Sequence, residues 1–314
     1  YSDATKGWLP VSDDAVADAG FIPQTQKAIF GYGTTGGIGV SLSMTNLVNS
    51  SGVVATDTTG VGTARQAPAA ASYGGDKAIF GYGITSSNVS MSNLVSNSGV
   101  VASDVTGVGT ARYGLAAAGY GVDKAIFGYG TTSDSTYSSL TNLVSNSGVV
   151  AADVTGVGTA RKYLAAATYG GDKSIFGYGN SGSRVSMTNL VSNSGVVSSD
   201  VSGVGTARGG LGAAGYGGDK VIFGYGTDGD SVSMTNLVSN TGVVSSDVSG
   251  VGTARRYLAA TSYGGDKAIF GYGYPDVQSS LTNLVSNTGV VASNTTGVGT
   301  ARNALAAAGY SLSA

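Results

Sequence analysis

From residue 27 onward, apolar and polar positions alternate in short runs, and no stretch sustains a helical period. In KAIFGYG (124–130), Ala125, Phe127 and Tyr129 alternate with Lys124, Ile126 and Gly128. A spacing of two is what a pleated strand requires. RYGLAAAGYG (112–121) precedes this run; SLTNLVS (139–145) and SGVVAADV (147–154) follow it. Gly-Val-Asp, or Gly-Gly-Asp in other copies, separates the first two runs, and Asn-Ser-Gly or Asn-Thr-Gly separates the last two. Both are hairpin-turn chemistry. The pattern predicts four short antiparallel strands per unit and almost no helix.

The unit repeats. The lysine that opens the aromatic run recurs at Lys27, Lys77, Lys124, Lys173, Lys220 and Lys267, at spacings of 50, 47, 49, 47 and 47 residues. A second marker, GVGTAR, ends at Arg65, Arg112, Arg161, Arg208, Arg255 and Arg302. Six four-stranded units predict an all-β, six-bladed β-propeller over 27–314; a β-solenoid is the rival. The two ends of the repeat region separate them. KAIFGYG at 27–33 lacks the Ala-rich run before it, and ARNALAAAGY (301–310) supplies that run at the far end. Pairing the two completes the sixth blade and closes a ring, which removes open sheet edges. The small residues of LAAAGYG suit the crowded innermost strand, GVVAADV the outermost. The Phe and Tyr of IFGYG are expected to fill the space between neighbouring blades.

Composition then removes functions. The 314 residues include 53 glycines, no Cys, no His and no Glu, so all 18 acids are Asp. Without His or Cys there is no Ser-His-Asp triad, cysteine nucleophile or His/Cys zinc site. A net charge of −2 offers no basic face for nucleic acid. No apolar run reaches the length of a membrane span. The reading is a non-enzyme with no cofactor. Asp228 and Asp230 form a close carboxylate pair of the kind glycoside hydrolysis uses, but a solvated loop pair is the reading taken. Residues 1–26 hold the single Trp and a cluster of Asp, and read as an arm or linker to another protein. The chain begins at Tyr1, as a processed protein or part of a longer one would, and shows no secretory signal.

RYGLAAAGYGVDKAIFGYG (112–130) resembles the kelch motif: an Arg, a small-residue strand, a turn and an aromatic strand ending in glycines, at a period near 50 residues. It departs from kelch in splitting the glycine pair as Gly-Tyr-Gly and in lacking a Trp within the repeats. The strings DKAIFGYG, TNLVSNTGVVA and GVGTAR, with residues 77–112 and 267–302 as close matches, resemble repeat proteins of tailed bacteriophages, cyanophages especially. That resemblance covers everything after residue 26. It implies a virion component on the particle exterior or tail: a tail fibre, adhesin or decoration protein. Its partners would be other virion proteins, held through the arm, and a host-surface glycan or protein. The alternative function is a lectin with up to six equivalent sugar pockets between blades.

Two sets of positions stand out. In five units an Asp precedes the Arg by eight residues: Asp57/Arg65, Asp104/Arg112, Asp153/Arg161, Asp200/Arg208 and Asp247/Arg255; the sixth has Asn294/Arg302. A loop brace within or between blades is the reading taken, against a calcium loop or a ring of arginines around an axial anion. The second set varies between units. It comprises the loops after GYG (34–42, 84–90, 131–139, 180–186, 227–233, 274–280) and the residue after each Arg: Gln66, Tyr113, Lys162, Gly209, Arg256 and Asn303. Loops that change on a constant scaffold are where contacts are presented. Tyr137, Arg184, Asp228, Asp230, Tyr274 and Gln278 are the candidate partner-binding residues.

Overall fold

The computed structural model describes residues 24–36 and 39–314 and, before them, only the backbone pairing of Ser2–Asp3 with Gly7–Trp8. The arm expected over 1–26 lies almost entirely outside the described residues. Among the described residues the fold is all-β, with no helix and six three-stranded antiparallel sheets. In each, an Ala-rich strand pairs with a KAIFG-type strand, which pairs in turn with a TNLV-type strand. Five sheets take their strands in chain order: Ala69–Tyr73, Lys77–Gly81 and Ser92–Val95; Ala116–Tyr120, Lys124–Gly128 and Thr141–Val144; Ala165–Tyr169, Lys173–Gly177 and Thr188–Val191; Gly212–Tyr216, Lys220–Gly224 and Thr235–Val238; Ala259–Tyr263, Lys267–Gly271 and Thr282–Val285. The sixth joins Ala306–Tyr310, from the far end of the chain, to Lys27–Gly31 and Thr45–Val48.

The fourth run of each unit is not a strand. It makes two isolated bridges, such as Val144 with Val150 and Thr141 with Val154. Three residue steps on one side face four on the other, and one extra residue breaks a ladder. The Asn142 side chain occupies the gap, donating from Nδ2 to the Ala151 carbonyl at 3.0 Å. The run therefore lies loosely at the edge, with Val53, Val100, Val149, Val196, Val243 and Val290 61–66% exposed.

The middle strands are buried on both faces. Ile126 and Phe127 are both fully buried, so the period of two separates one neighbouring unit from the other, not core from solvent. Each hydrophobic cluster draws on two units: Ile79 and Tyr82 pack with Leu115, Ala125 and Phe127 of the next. Ile269 and Tyr272 pack with Ala28 and Phe30, so the last unit meets the first.

The first glycine of each GYG follows from this packing. A Cβ on Gly128 would stand 2.8 Å from the Phe176 ring of the next unit. The other five meet the next Phe at 2.7 Å, Gly271 meeting Phe30.

Two series of backbone bonds link every unit to its neighbours. At the start of the Ala-rich strands, the N–H of Ala67 donates to the carbonyl of Ala304, Gly114 to Ala67, Tyr163 to Gly114, Gly210 to Tyr163, Tyr257 to Gly210 and Ala304 to Tyr257, at 2.7–3.2 Å. At the opposite strand ends, Gly74 donates to Asp123, Gly121 to Asp172, Gly170 to Asp219 and Gly217 to Asp266, then Gly264 to Gln26 and Ser311 to Asp76. All six Ala-rich strands line one cavity of about 130 Å³, with Gln24 and Thr25 also in its wall.

Two variants test this packing. Gly128→Ala should cost about 1–3 kcal/mol in chemical denaturation, since the neighbouring Phe176 ring has no room to give. Deleting 301–314 removes the partner of Lys27–Gly31 and should lower stability by several kcal/mol through lost ladder bonds and packing. An unchanged melting temperature would count against the pairing.

Candidate functional site: the loop face

The repeated charges belong to the scaffold. Arg112 is fully buried. Its Nε donates to the Tyr129 carbonyl at 2.8 Å, Nη1 to the Thr110 carbonyl at 3.0 Å and Nη2 to Asn142 Oδ1 at 2.6 Å. The guanidinium lies 4.6 Å from the centre of the Tyr82 ring, one unit back. The other five arginines repeat the arrangement; Arg302 reaches Tyr32 and Asn46 while covering Tyr272. Burying a guanidinium is costly unless its donors are matched, and here each of its three nitrogens has a partner. None lines the cavity between the Ala-rich strands, where a ring of arginines around an anion would have to sit.

The sequence neighbours are not the partners. Asp57 faces Arg302, Asp104 faces Arg65, Asp153 faces Arg112, Asp200 faces Arg161 and Asp247 faces Arg208, at 3.7–3.9 Å. Each aspartate thus sits against the arginine that opens its own unit, not the one eight residues further on. Asp153 accepts from the Thr110 N–H, from Thr110 Oγ1 and from Asn142 Nδ2. Partial burial works against its ionisation, but these bonds, with Arg112, prevail and hold its carboxyl below the usual range. The donors around it are those of a brace that ties the end of a unit to its own opening segment rather than a calcium shell. Arg255 has Asn294 in place of the carboxylate. Asn294 Oδ1 accepts from the Thr253 N–H, and Nδ2 donates to Thr253 Oγ1, so the amide keeps the brace without the charge.

The GYG tyrosines lock into the same joint. Tyr32, Tyr82, Tyr129, Tyr178, Tyr225 and Tyr272 all adopt φ of 62–66°, a strained conformation for a bulky residue. Each ring is fully buried between an arginine and the next unit's Phe, with centroids 5.0–5.2 Å apart. Burial pushes the Tyr82 and Tyr129 phenols up to about 12. The Phe and Tyr of IFGYG thus offer no sugar pockets between units.

The variable positions lie elsewhere, at the end of the middle strands remote from the Gly-Asp turns. The residue after each buried Arg pairs with the first residues after GYG: Gln66 with Ile84, Tyr113 with Thr131, Lys162 with Asn180, Gly209 with Thr227, Arg256 with Tyr274, Asn303 with Thr34. The two variable segments are therefore one surface. Adjacent loops touch: Asn88 Nδ2 donates to the Thr132 carbonyl, Ser231 Oγ to that of Tyr274, and Gln278 Nε2 to that of Gly36. Tyr137 and Tyr274 are partly exposed and lie against cations, Tyr137 5.6 Å from Lys162 Nζ and Tyr274 5.2 Å from the Arg256 guanidinium. Arg184 is exposed on one loop and Asp228 and Asp230 on another, where the Asp228 N–H donates to the Asp230 carbonyl.

Sequence reasoning passed over Tyr163 and Tyr257. They occupy the backbone-belt position that is Ala67, Gly114, Gly210 and Ala304 in the other units, and their rings meet at 5.2 Å. Tyr163 also meets Tyr113 at 6.3 Å. Aligning the units on the buried Arg shows the signal: ARKYLAA and ARRYLAA set a cation and a Tyr where other units carry small or neutral residues.

The brace predicts a pH dependence. The carboxylates have folded pKa values below the ordinary 3.8, so their stabilisation is complete at neutral pH and is lost as pH falls through the folded pKa. The melting temperature should be flat from about pH 8 to 5 and fall below about pH 4. Replacing all five with Asn should make that fall shallower. At neutral pH Asp153→Asn should cost less than about 1 kcal/mol, as Asn294 implies, and Asp153→Ala about 1–2 kcal/mol. A scan of protein-family models gives no match to this chain, and neither does a search of curated proteins.

Proposed function

We propose that the six sheets are the blades of a closed six-bladed β-propeller, and that the protein is a non-enzymatic binding disc whose loop face meets a partner. The observation that carries this reading is the segregation of sequence variation. Both sets of side chains that differ in type between units, after GYG and after the buried Arg, converge on one end of the strands. The opposite end is nearly uniform: Asp76, Asp123, Asp172, Asp219 and Asp266 each pair with the lysine that follows. Two backbone belts, each passing through all six units, support the closed ring.

The disc has a polarity. Gln26 accepts from Gly264 and donates to the Ser311 carbonyl on the turn face, so the segment before residue 24 joins the disc there. Attachment at that end would leave the loop face outward. In keeping with its resemblance to phage repeat proteins, we assign the disc to a virion exterior, as a tail-fibre, adhesin or decoration component. Its arm would hold other virion proteins and its loops a receptor or neighbouring subunit. Tyr and Arg, common at binding hot spots, recur among the variable side chains, and several copies on one particle would add avidity.

The test exchanges all six loops for the 84–90 version and assays adsorption and particle assembly. Loss of either, with the melting temperature within a few degrees of the parent, supports the loop face. Survival of both, together with their loss when the Gly-Gly-Asp-Lys turns are altered, would move the binding surface to the other face.

A further inference from the structure

Tyr163 and Tyr257 hold positions where the scaffold does not need tyrosine. The belt residues share φ of 49–62°, and four of the six are Gly or Ala. Tyr163 and Tyr257 accept φ of 55° and 54° with a bulky side chain, a conformation that costs energy and points to a role. The GYG tyrosines share that strain, but each is fully buried against an arginine in all six units. Tyr163 and Tyr257 remain partly exposed and occur in two units only.

Their surroundings are equally uneven. The residues before them are Lys162 and Arg256. Lys162 Nζ lies 5.4–5.7 Å from the ring centres of Tyr113, Tyr137 and Tyr163. Asp134 accepts from the Tyr113 hydroxyl at 2.7 Å, and its carbonyl accepts from Lys162 Nζ at 3.3 Å. Aromatic rings, hydroxyl donors, an ammonium donor and a carboxylate acceptor thus meet over one side of the ring, where Gly209 and Gly210 leave room between Tyr163 and Tyr257, while Gln66, Ala67, Asn303 and Ala304 leave the other side bare.

We propose that Tyr137, Tyr163 and Tyr257, backed by the buried Tyr113 and bordered by Lys162 and Asp134, form one stacking site per chain for a neutral pyranose of a surface glycan. The proposal rests on the loop face being the binding face. A pyranose presents an apolar C–H face, which aromatic rings cover, and a rim of hydroxyls, which need fixed donors and acceptors. Lys162 stands with Asp134, and Arg256 reaches Ser231 on the loop that carries Asp228 and Asp230, so the site carries no excess positive charge to select a sulfated or sialylated sugar. The site is single and lopsided, so affinity per chain is low and useful binding comes from several copies.

The experiment is saturation-transfer NMR and titration of the full chain with maltotetraose, cellotetraose and lactose, with sialyllactose and a tyrosine-containing tetrapeptide alongside. The expected result is transfer to the C–H protons of a neutral sugar with one site per chain. Tyr163→Gly with Tyr257→Gly should weaken binding at least about tenfold without lowering the melting temperature, since glycine already serves at 114 and 210. Tyr137→Ala reads the site without touching the belt and should weaken binding too. The proposal falls if no neutral sugar binds up to about 10 mM, if sialyllactose or the peptide alone binds, or if Tyr137→Ala leaves sugar binding intact. If the loop exchange abolishes adsorption while no sugar binds, the loop face stands and the sugar does not.

Discussion

A buried arginine at every junction is the constraint on which the rest of the molecule depends. Its guanidinium spans the joint, stacked on a tyrosine of one unit and hydrogen-bonded to a carbonyl and an asparagine of the next. A charge so enclosed is tolerable only when every donor is met, and meeting the donors dictates much of the repeat. The Asn of TNLV must be Asn, because Oδ1 accepts from the arginine while Nδ2 bonds the edge run and the aspartate. The GYG tyrosine must turn left-handed to bring its carbonyl to Nε and its ring beneath the neighbouring arginine. The second glycine of GVGT must be Gly: a Cβ on Gly109 would run into Asp153 and Asn142. What looks like redundant copying is one joint specified six times.

The strand pattern was legible because small, aromatic and turn residues recur at fixed offsets, and the ends of the repeat region foretold the pairing of Ala306–Tyr310 with Lys27–Gly31. The fourth strand was misread: GVVAADV has strand composition, but Asn142 diverts the bond that a ladder would use. The partner of each Asp was not legible from spacing: Asp153 stands eight residues before Arg161, yet it sits on Arg112, which opens its own unit. Proximity along a repeat does not reveal which neighbour it leans on. The candidate site was half legible. Variation flagged Tyr137 and Tyr274, but Tyr163 and Tyr257 sit one residue beyond the positions compared, and their significance rests on a backbone angle that composition does not display.

Constancy and variation in this architecture separate into two ends that share a strand of five residues. The Gly-Asp turns repeat almost unaltered and hold one another through backbone bonds. At the other end a belt of the same kind carries side chains that are free to differ, because the scaffold asks of them only a left-handed backbone. Rigidity and diversity occupy adjacent residues: Arg161 is enclosed, while Lys162 and Tyr163 reach the surface.

The sixth sheet is unlike the others in when it can form. Five sheets take consecutive segments and complete themselves as the chain lengthens. Lys27–Gly31 must wait for residues 306–310, nearly the whole length of the chain away. Until then it presents a bare β-edge, which invites pairing with any extended chain. Six Ala-rich strands of almost the same sequence compete for that edge, including those of other molecules emerging nearby. Pairing across such a separation is slow. The near-identity that makes each joint sound in the finished fold therefore makes the last step of its assembly the one most open to error.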